Sequence, residues 1–100
     1  MIVSIDPEGT EIGVIQKLVD FSNKTVLEVG CGDGRMTWRY AEQTASVLAL
    51  DTNKERIEHA TRNTPAALQS KVRLLVADIT DPELDLPQDG FEVAILSHSL

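Results

Sequence analysis

The sequence predicts an α/β fold, an open parallel sheet with helices on both faces, and two observations support this prediction. Short apolar runs typical of buried strands alternate with amphipathic stretches typical of helices along all 100 residues, a length that suits one domain. The first well-defined run, residues 25–29, leads directly into a turn with glycines at positions 30, 32 and 34. A strand, a glycine turn and a helix together place a ligand at the carboxyl edge of a parallel sheet.

Residues 1–24 are expected to form a lead-in and an N-terminal helix that precede this strand. The helix is predicted over residues 10–21, where Ile12, Ile15 and Val19 form an apolar stripe. Gly13 lies within this stretch and disfavours a helix there. A turn at residues 22–24 then leads into the first predicted strand, residues 25–29.

The remaining pattern predicts a helix over about residues 33–44 and three more strands, at residues 46–50, 72–77 and 91–96. Met36, Tyr40 and Ala41 have the spacing of a buried helical stripe. The second and third strands are followed directly by Asp51 and Asp78. In an open parallel sheet, ligands lie at the carboxyl ends of strands.

A further helix is predicted to begin at Thr52, since Thr52 and Glu55 have the spacing of a capping box. Ile57 and Ala60 would face the sheet, and the helix would end before Pro65. A short extra turn is expected over residues 66–70, and an acidic loop over residues 81–90.

Composition limits the classes of function. The chain is 42% hydrophobic and 25% charged, as in ordinary globular proteins, and its net charge of −7 disfavours a surface that coats nucleic acid. No apolar run approaches the roughly 18 residues of a membrane span, and no signal peptide is visible. A single cysteine, Cys31, excludes an intrachain disulfide and fits a reducing compartment, so a cytoplasmic location is expected.

The glycine turn does not have the spacing of common phosphate-binding loops. A dinucleotide-binding turn has a third glycine at the position that Arg35 occupies, and a P-loop has a Gly-Lys-Ser/Thr sequence that this turn lacks. Glu28, two residues before the first glycine, would repel a pyrophosphate but would suit a cationic ligand. The turn therefore favours a ligand that carries positive charge and no phosphate.

With these residues in order, the chain resembles the class I S-adenosylmethionine-dependent methyltransferases. Residues 27–34 (Leu-Glu-Val-Gly-Cys-Gly-Asp-Gly) are similar to the first motif of that family, and Asp51 matches its acidic residue after the second strand. Residues 76–79 and 91–97 resemble the third and fourth motifs. The resemblance implies a Rossmann-like fold, S-adenosylmethionine as cofactor and methyl transfer as the activity.

The resemblance also implies roles for individual residues. Asp51 would accept hydrogen bonds from both ribose hydroxyls, Asp78 would meet the adenine amino group and Ile79 the adenine ring. Glu28 would brace the glycine loop and the cofactor, and the backbone near Ser97 would face the methionine end. The full set of implied cofactor-binding residues is Glu28, Gly30, Cys31, Gly32, Gly34, Asp51, Thr52, Asp78, Ile79 and Ser97.

Simpler explanations exist for several of these residues. Asp51 and Asp33 could cap helices, and Asp78 could stabilise a turn. Cys31 lacks a nearby histidine partner, so a role as nucleophile is disfavoured. His59 is expected in solvent, and His98 is the only candidate for a base, with no other catalytic residue identified. No residues have the spacing of metal ligands.

The acceptor is expected to be a small molecule rather than nucleic acid or a membrane component. The chain ends just past the fourth predicted strand, so we expect a sheet truncated there, with one strand edge unpaired and completed in a homo-oligomer or by another chain. Two alternatives stay open: a non-catalytic module for binding or oligomerisation, and, disfavoured by Arg35, an NAD-binding oxidoreductase.

Overall fold

The computed structural model describes residues 2–5, 19–86 and 90–97. The strands are Ile2–Ile5 (β1), Thr25–Val29 (β2), Ser46–Asp51 (β3), Val72–Val76 (β4) and Val93–Ser97 (β5). The helices are Arg35–Ala41 (α1) and Lys54–Asn63 (α2), and a 3-10 turn follows at Ala66–Leu68.

The five strands form one sheet in the order β1-β5-β2-β3-β4. Every neighbouring pair is parallel. Connections through α1 and α2 carry the chain stepwise from β2 to β3 and from β3 to β4, as crossovers between parallel strands require. The predicted open parallel α/β sheet is confirmed, and all four predicted strands are present within two residues of their expected bounds.

The N-terminal lead-in contains a strand that the sequence analysis did not predict. β1 pairs with β5, with Ile2 beside Ala94 and Ile5 beside Ser97. A run of four residues is too short to show the alternation of side chains that is typical of a strand. It forms a strand here because the edge of β5 supplies its hydrogen-bond partners. The expectation of an unpaired edge on the last strand is therefore wrong, and with it the reason for completing that edge with another chain.

The predicted helix over residues 10–21 lies mostly outside the described residues. Its last part is described, and there the prediction is wrong, since Val19, Asp20 and Phe21 are in neither a helix nor a strand. Ser22 donates its backbone N–H to Asp20 Oδ1 at 2.9 Å. Lys24 donates to the Phe21 carbonyl at 3.1 Å, so hydrogen bonds of a turn replace those of a helix.

α1 is shorter than predicted because both of its ends are fixed by local contacts. It begins after Gly34, which has a φ of 87°. It ends at Ala41, whose carbonyl accepts the Thr44 hydroxyl at 2.7 Å. The predicted stripe is partly correct: Tyr40 and Ala41 are buried, but Thr37 is buried as well and Met36 is only half-buried.

α2 is capped one residue later than predicted. The Asn53 side chain, not that of Thr52, accepts the backbone N–H of Arg56 at 3.1 Å. An asparagine cap followed by three residues gives the same hydrogen bond as the predicted threonine cap. Ile57 and Ala60 are buried as predicted. The acidic loop has neither a helix nor a strand in its described residues 81–86 and 90.

Both described helices pack on the sheet face that carries the central apolar cluster. The strands contribute alternate residues to this cluster, which are Val26, Val47, Ala49, Val72, Val93 and Ile95. α1 adds Tyr40, and α2 adds Ile57. This packing fixes the carboxyl edge of the sheet, where β2 meets the glycine turn. No helix within the described ranges is long and apolar enough to cross a membrane.

Candidate functional site

The glycine turn at the end of β2 is held against the end of β3 by backbone hydrogen bonds. Gly30 and Cys31 both donate their N–H groups to the Leu50 carbonyl, at 2.7 and 3.1 Å. Gly32 donates its N–H to Asp51 Oδ2 at 2.8 Å. The turn therefore lies directly over the ends of β2 and β3, at the edge where ligands bind in open α/β sheets.

Asp51 connects two segments of this edge. Its side chain is only 7% exposed. Oδ2 accepts from Gly32, while Oδ1 accepts the Asn53 N–H at 2.8 Å. Each carboxylate oxygen has further lone pairs, so both can accept a second hydrogen bond from a ligand hydroxyl. Asp51 therefore shapes the turn as well as offering a charged acceptor.

Gly34 closes the turn under the side chain of Trp38. A Cβ atom built at Gly34 would lie 2.8 Å from Cε2 of Trp38 and closer still to Cζ2. With a φ of 87°, this position also has a backbone conformation that disfavours other residues. No pattern in the sequence indicates this contact, which only the turn geometry creates.

Glu28 is buried beneath the turn with no exposed surface. Its Oε1 accepts two hydroxyls from α1, those of Thr37 at 2.7 Å and Tyr40 at 2.5 Å. Its Oε2 has no hydrogen-bond partner in the described part of the chain. Burial raises the pKa of Glu28 above its usual 4.5, and the two hydroxyls oppose that shift.

Two cavities meet at Gly30. The smaller one, of about 120 Å³, lies between the ends of β2, β3 and β4. It brings together five of the predicted site residues, which are Gly30, Asp51, Thr52, Asp78 and Ile79. Asp78 is exposed, and its Oδ1 accepts the Thr80 N–H at 2.9 Å and the Thr80 hydroxyl at 2.7 Å. Ile79 is 38% exposed.

The larger cavity, of about 600 Å³, lies between the turn, α1 and α2. It contains the predicted site residues Glu28, Gly30, Cys31 and Gly32. The helix side chains of its lining were not predicted as site residues, and among them are Arg35 of α1 and Arg56 and His59 of α2. Arg35, Arg56 and His59 are all exposed, as predicted for His59. Only the packing of the two helices shows that they flank the turn.

The remaining predicted residues have different positions. Gly34 is buried under Trp38 and lines neither cavity. Leu96 pairs with Val29, so Ser97 reaches the same edge of the sheet as Gly30. His98 lies outside the described residues. Burial raises the pKa of the Cys31 thiol to about 12, and the nearby carboxylates add to that shift, so this thiol stays protonated at neutral pH.

The strand ends at this edge of the sheet offer carboxylate acceptors, whereas the cationic side chains that flank the turn, Arg35 and Arg56, come from α1 and α2. Asp51, Asp78 and Glu28 supply carboxylates. The turn's Gly32 N–H, which could bind an anion, already donates to Asp51. The strand ends therefore suit hydroxyl, amino or positively charged groups of a ligand better than a pyrophosphate.

Comparison with known proteins gives one consistent family. A family model described as a methyltransferase domain matches residues 26–100. An rRNA N(6)-adenosine-methyltransferase of Caenorhabditis elegans is 34% identical over 87 residues, which cover 84% of this chain and 41% of the relative. A magnesium-protoporphyrin O-methyltransferase of Rhodobacter capsulatus is 35% identical over 65 residues, which cover 65% of this chain and 29% of the relative.

A solved structure agrees in fold. An S-adenosylmethionine-dependent methyltransferase of Mesorhizobium loti superposes with a TM-score of 0.72 at 24% identity, covering 89% of this chain and 40% of that one. The chain thus spans less than half the length of the relatives it matches.

Proposed function

The chain belongs to the methyltransferase-domain family, and from this premise we propose that it forms the S-adenosylmethionine-binding part of a methyltransferase. The observation that carries the proposal is the group of residues from three strand ends around the smaller cavity. Gly30 follows β2, Asp51 ends β3, and Asp78 and Ile79 follow β4. A nucleoside lying across this edge would meet a carboxylate at its ribose and another at its base.

The buried carboxylate of Glu28, in the larger cavity, also fits this cofactor. S-adenosylmethionine carries a sulfonium and an ammonium group and no phosphate. Glu28 has a fully buried oxygen without a hydrogen-bond partner in the described part of the chain. A buried unpaired acceptor is costly, and a cationic donor would remove that cost. The two cavities share Gly30, so one extended ligand could occupy both.

When bound, this cofactor supplies a methyl carbon activated by positive sulfur, for in-line displacement by the acceptor. The chain's own residues would align and enclose it rather than react with it. In this proposal Asp51 holds the ribose hydroxyls, Asp78 the adenine amino group and Ile79 the ring. The glycine turn lets the cofactor approach the backbone, and the backbone near Ser97 faces the methionine end.

For the acceptor we propose a small molecule. The acidic balance supports this choice, since 16 Asp and Glu residues outnumber nine Lys and Arg residues. Exposed acids follow the smaller cavity along the loop after β4, at positions 81, 83 and 85. These negative charges would repel the phosphates of RNA. The names of the relatives include both kinds of acceptor, rRNA and a protoporphyrin.

RNA binding at two salt concentrations distinguishes the two acceptor classes. The small-molecule proposal expects no measurable affinity of the chain for a structured rRNA fragment at low salt. An RNA-binding surface would instead show an affinity that falls steeply as salt rises, because phosphate contacts release counterions. Tight binding with a steep salt slope would replace the small-molecule proposal with an RNA acceptor.

Calorimetry with S-adenosylhomocysteine tests the proposed function directly. We expect the chain to bind this product, and Asp51→Ala to lose about tenfold or more in affinity because a charged acceptor for the ribose is removed. Asp85→Ala is a matched control, since Asp85 is an exposed aspartate that lines neither cavity. NADH serves as a competitor for the oxidoreductase alternative.

Three results would contradict this proposal. The unmodified chain could fail to bind S-adenosylhomocysteine, it could bind NADH more tightly, or Asp51→Ala could bind with unchanged affinity. Circular dichroism of Asp51→Ala separates a lost contact from lost folding.

A cytoplasmic location is part of the same proposal, supported by Cys31, the chain's one cysteine, which is a buried free thiol.

A further inference from the structure

Two side-chain hydroxyls of helix α1 donate hydrogen bonds to one buried oxygen. Thr37 and Tyr40 are three residues apart, so their side chains lie on the same face of the helix. Both donate to Oε1 of Glu28 on β2, and all three side chains are fully buried. Two donors on one oxygen fix the carboxylate in a single orientation and stabilise its charged form.

The same arrangement leaves the other oxygen without a partner. Oε2 is buried and accepts no hydrogen bond from the described part of the chain. Glu28 also lines the larger cavity, together with Gly30, Cys31 and Gly32 of the turn. A core that needed this carboxylate only for packing would be more stable with an apolar residue, because a half-satisfied buried acid is costly. The unsatisfied oxygen therefore points to a ligand that completes it.

We propose that Thr37 and Tyr40 are positioning residues, which hold Glu28 through Oε1 so that Oε2 accepts a hydrogen bond from the ammonium end of the cofactor. This inference rests on the proposed function, because it assigns the occupant of the larger cavity. It extends that function to two residues of α1 that neither contact a cavity nor belong to the glycine turn.

The electrostatics make the role of these hydroxyls dependent on pH. The groups that face Glu28 or share its cavity are Tyr40 from α1, Cys31 and Asp33 from the turn, Asp51 from β3, Arg35 from α1, and Glu55, Arg56 and His59 from α2. Burial and the Asp51 charge raise the pKa of Glu28, while the two hydroxyls lower it. If either hydroxyl is removed, the pKa of Glu28 should rise further. The carboxyl then keeps its proton to higher pH, and it attracts an ammonium group less strongly.

Tyr40→Phe is the informative variant because it removes only the hydroxyl. The ring, stacked on Phe21 with centroids 4.7 Å apart, is retained. We expect the affinity for S-adenosylhomocysteine to fall about tenfold near pH 6, and this loss to shrink as pH rises to about 9. Thr37→Val should lose affinity in the same direction, and Thr37→Ser, which keeps the hydroxyl, should restore it.

Thr44→Val is the matched control. Thr44 is also buried, but its hydroxyl donates to the Ala41 carbonyl and not to Glu28. We expect this variant to bind S-adenosylhomocysteine as the unmodified chain does at each pH. An equal loss in Thr44→Val and Thr37→Val would mean that any buried hydroxyl near α1 matters, and would overturn the positioning role.

A carbon-13 NMR titration of the Glu28 carboxyl in the ligand-free chain gives a readout that does not depend on binding. The proposal expects a higher apparent pKa in Tyr40→Phe than in the unmodified chain. An unchanged pKa, or an affinity that Tyr40→Phe leaves unaltered at every pH, overturns this proposal alone. If the unmodified chain binds no S-adenosylhomocysteine, the proposed function and this inference fall together.

Discussion

The two sides of the candidate site are built in different ways. On one side, Asp51 is almost fully buried, and its oxygens accept hydrogen bonds from Gly32 and from Asn53. On the other, Asp78 is exposed, and its carboxylate bonds to Thr80, two residues further along the chain. The first side is shaped by contacts between distant segments, and the second by a local turn. Changes on the first side should therefore affect folding and binding together, whereas changes on the second should affect binding alone.

Replacing Gly34 on the buried side should have the largest effect. In Gly34→Ala the new methyl group would collide with the Trp38 ring, at a backbone φ of 87° that alanine disfavours. Strain and overpacking together should lower the free energy of unfolding by about 3 kcal/mol. Urea denaturation followed by circular dichroism measures this loss.

Gly90 supplies the matched control for that variant. It also has a positive φ, of 71°, but a Cβ there would meet no atom within 4 Å. Gly90→Ala should therefore lower the free energy of unfolding only through backbone strain, by about 1 kcal/mol. If both variants lost the same amount, the Trp38 contact would contribute nothing and the buried side would be less tightly constrained than its geometry indicates.

Glu28→Gln should change the pH dependence of stability. Because burial raises the pKa of Glu28 above 4.5 in the folded chain, the folded state keeps a proton that the unfolded state has released. Stability therefore falls as pH rises from about 4.5 through the folded pKa, and then levels. Glutamine cannot ionise, so the free energy of unfolding of the variant should lack this fall. At pH values above the folded pKa of Glu28, it should exceed that of the unmodified chain by about 1 kcal/mol.

Denaturation in urea between pH 4 and pH 9 measures both curves. The carboxyl of Asp78 does not interfere, because hydrogen bonds from Thr80 lower its pKa below 3.8 and move its titration to more acidic conditions. Parallel curves for Glu28→Gln and the unmodified chain would show that Glu28 titrates normally. In that case the buried carboxylate of Glu28 would not be a source of instability on the buried side.

Parts of both sides could be predicted from local patterns in the sequence. The apolar run before the glycines predicts β2, and the carboxylates at the ends of strands predict where Asp51 and Asp78 lie. These predictions succeed because parallel strands place their carboxyl ends at one edge whatever the details of packing. The resemblance to the methyltransferases supplied the family, which the composition alone does not indicate.

The partners of Glu28 could not be predicted in the same way. Thr37 and Tyr40 lie nine and twelve residues further along the chain. The helical stripe predicts that Tyr40 is buried, but it indicates neither the burial of Thr37 nor the contact of either hydroxyl with Glu28. Both contacts depend on how α1 crosses the sheet. β1 was missed for a related reason, since its hydrogen bonds come from β5, about ninety residues later. One signal was available: a glutamate inside an apolar strand requires donors nearby.

The smallest effect on folding is expected on the exposed side, for Asp78→Ala. The side chain is exposed and its hydrogen bonds stay within one turn, so the urea midpoint should not change. If Asp78 meets the adenine amino group, affinity for S-adenosylhomocysteine should nevertheless fall about fivefold. Asp81→Ala is the control, because Asp81 accepts the Glu83 N–H in the next turn and lines neither cavity.

A urea midpoint of Asp78→Ala lowered as far as that of Asp51→Ala would show that the β4 side also supports the fold. An unchanged affinity with an unchanged midpoint would leave the adenine without a partner at Asp78, so its recognition would depend on Ile79 and the backbone of that turn.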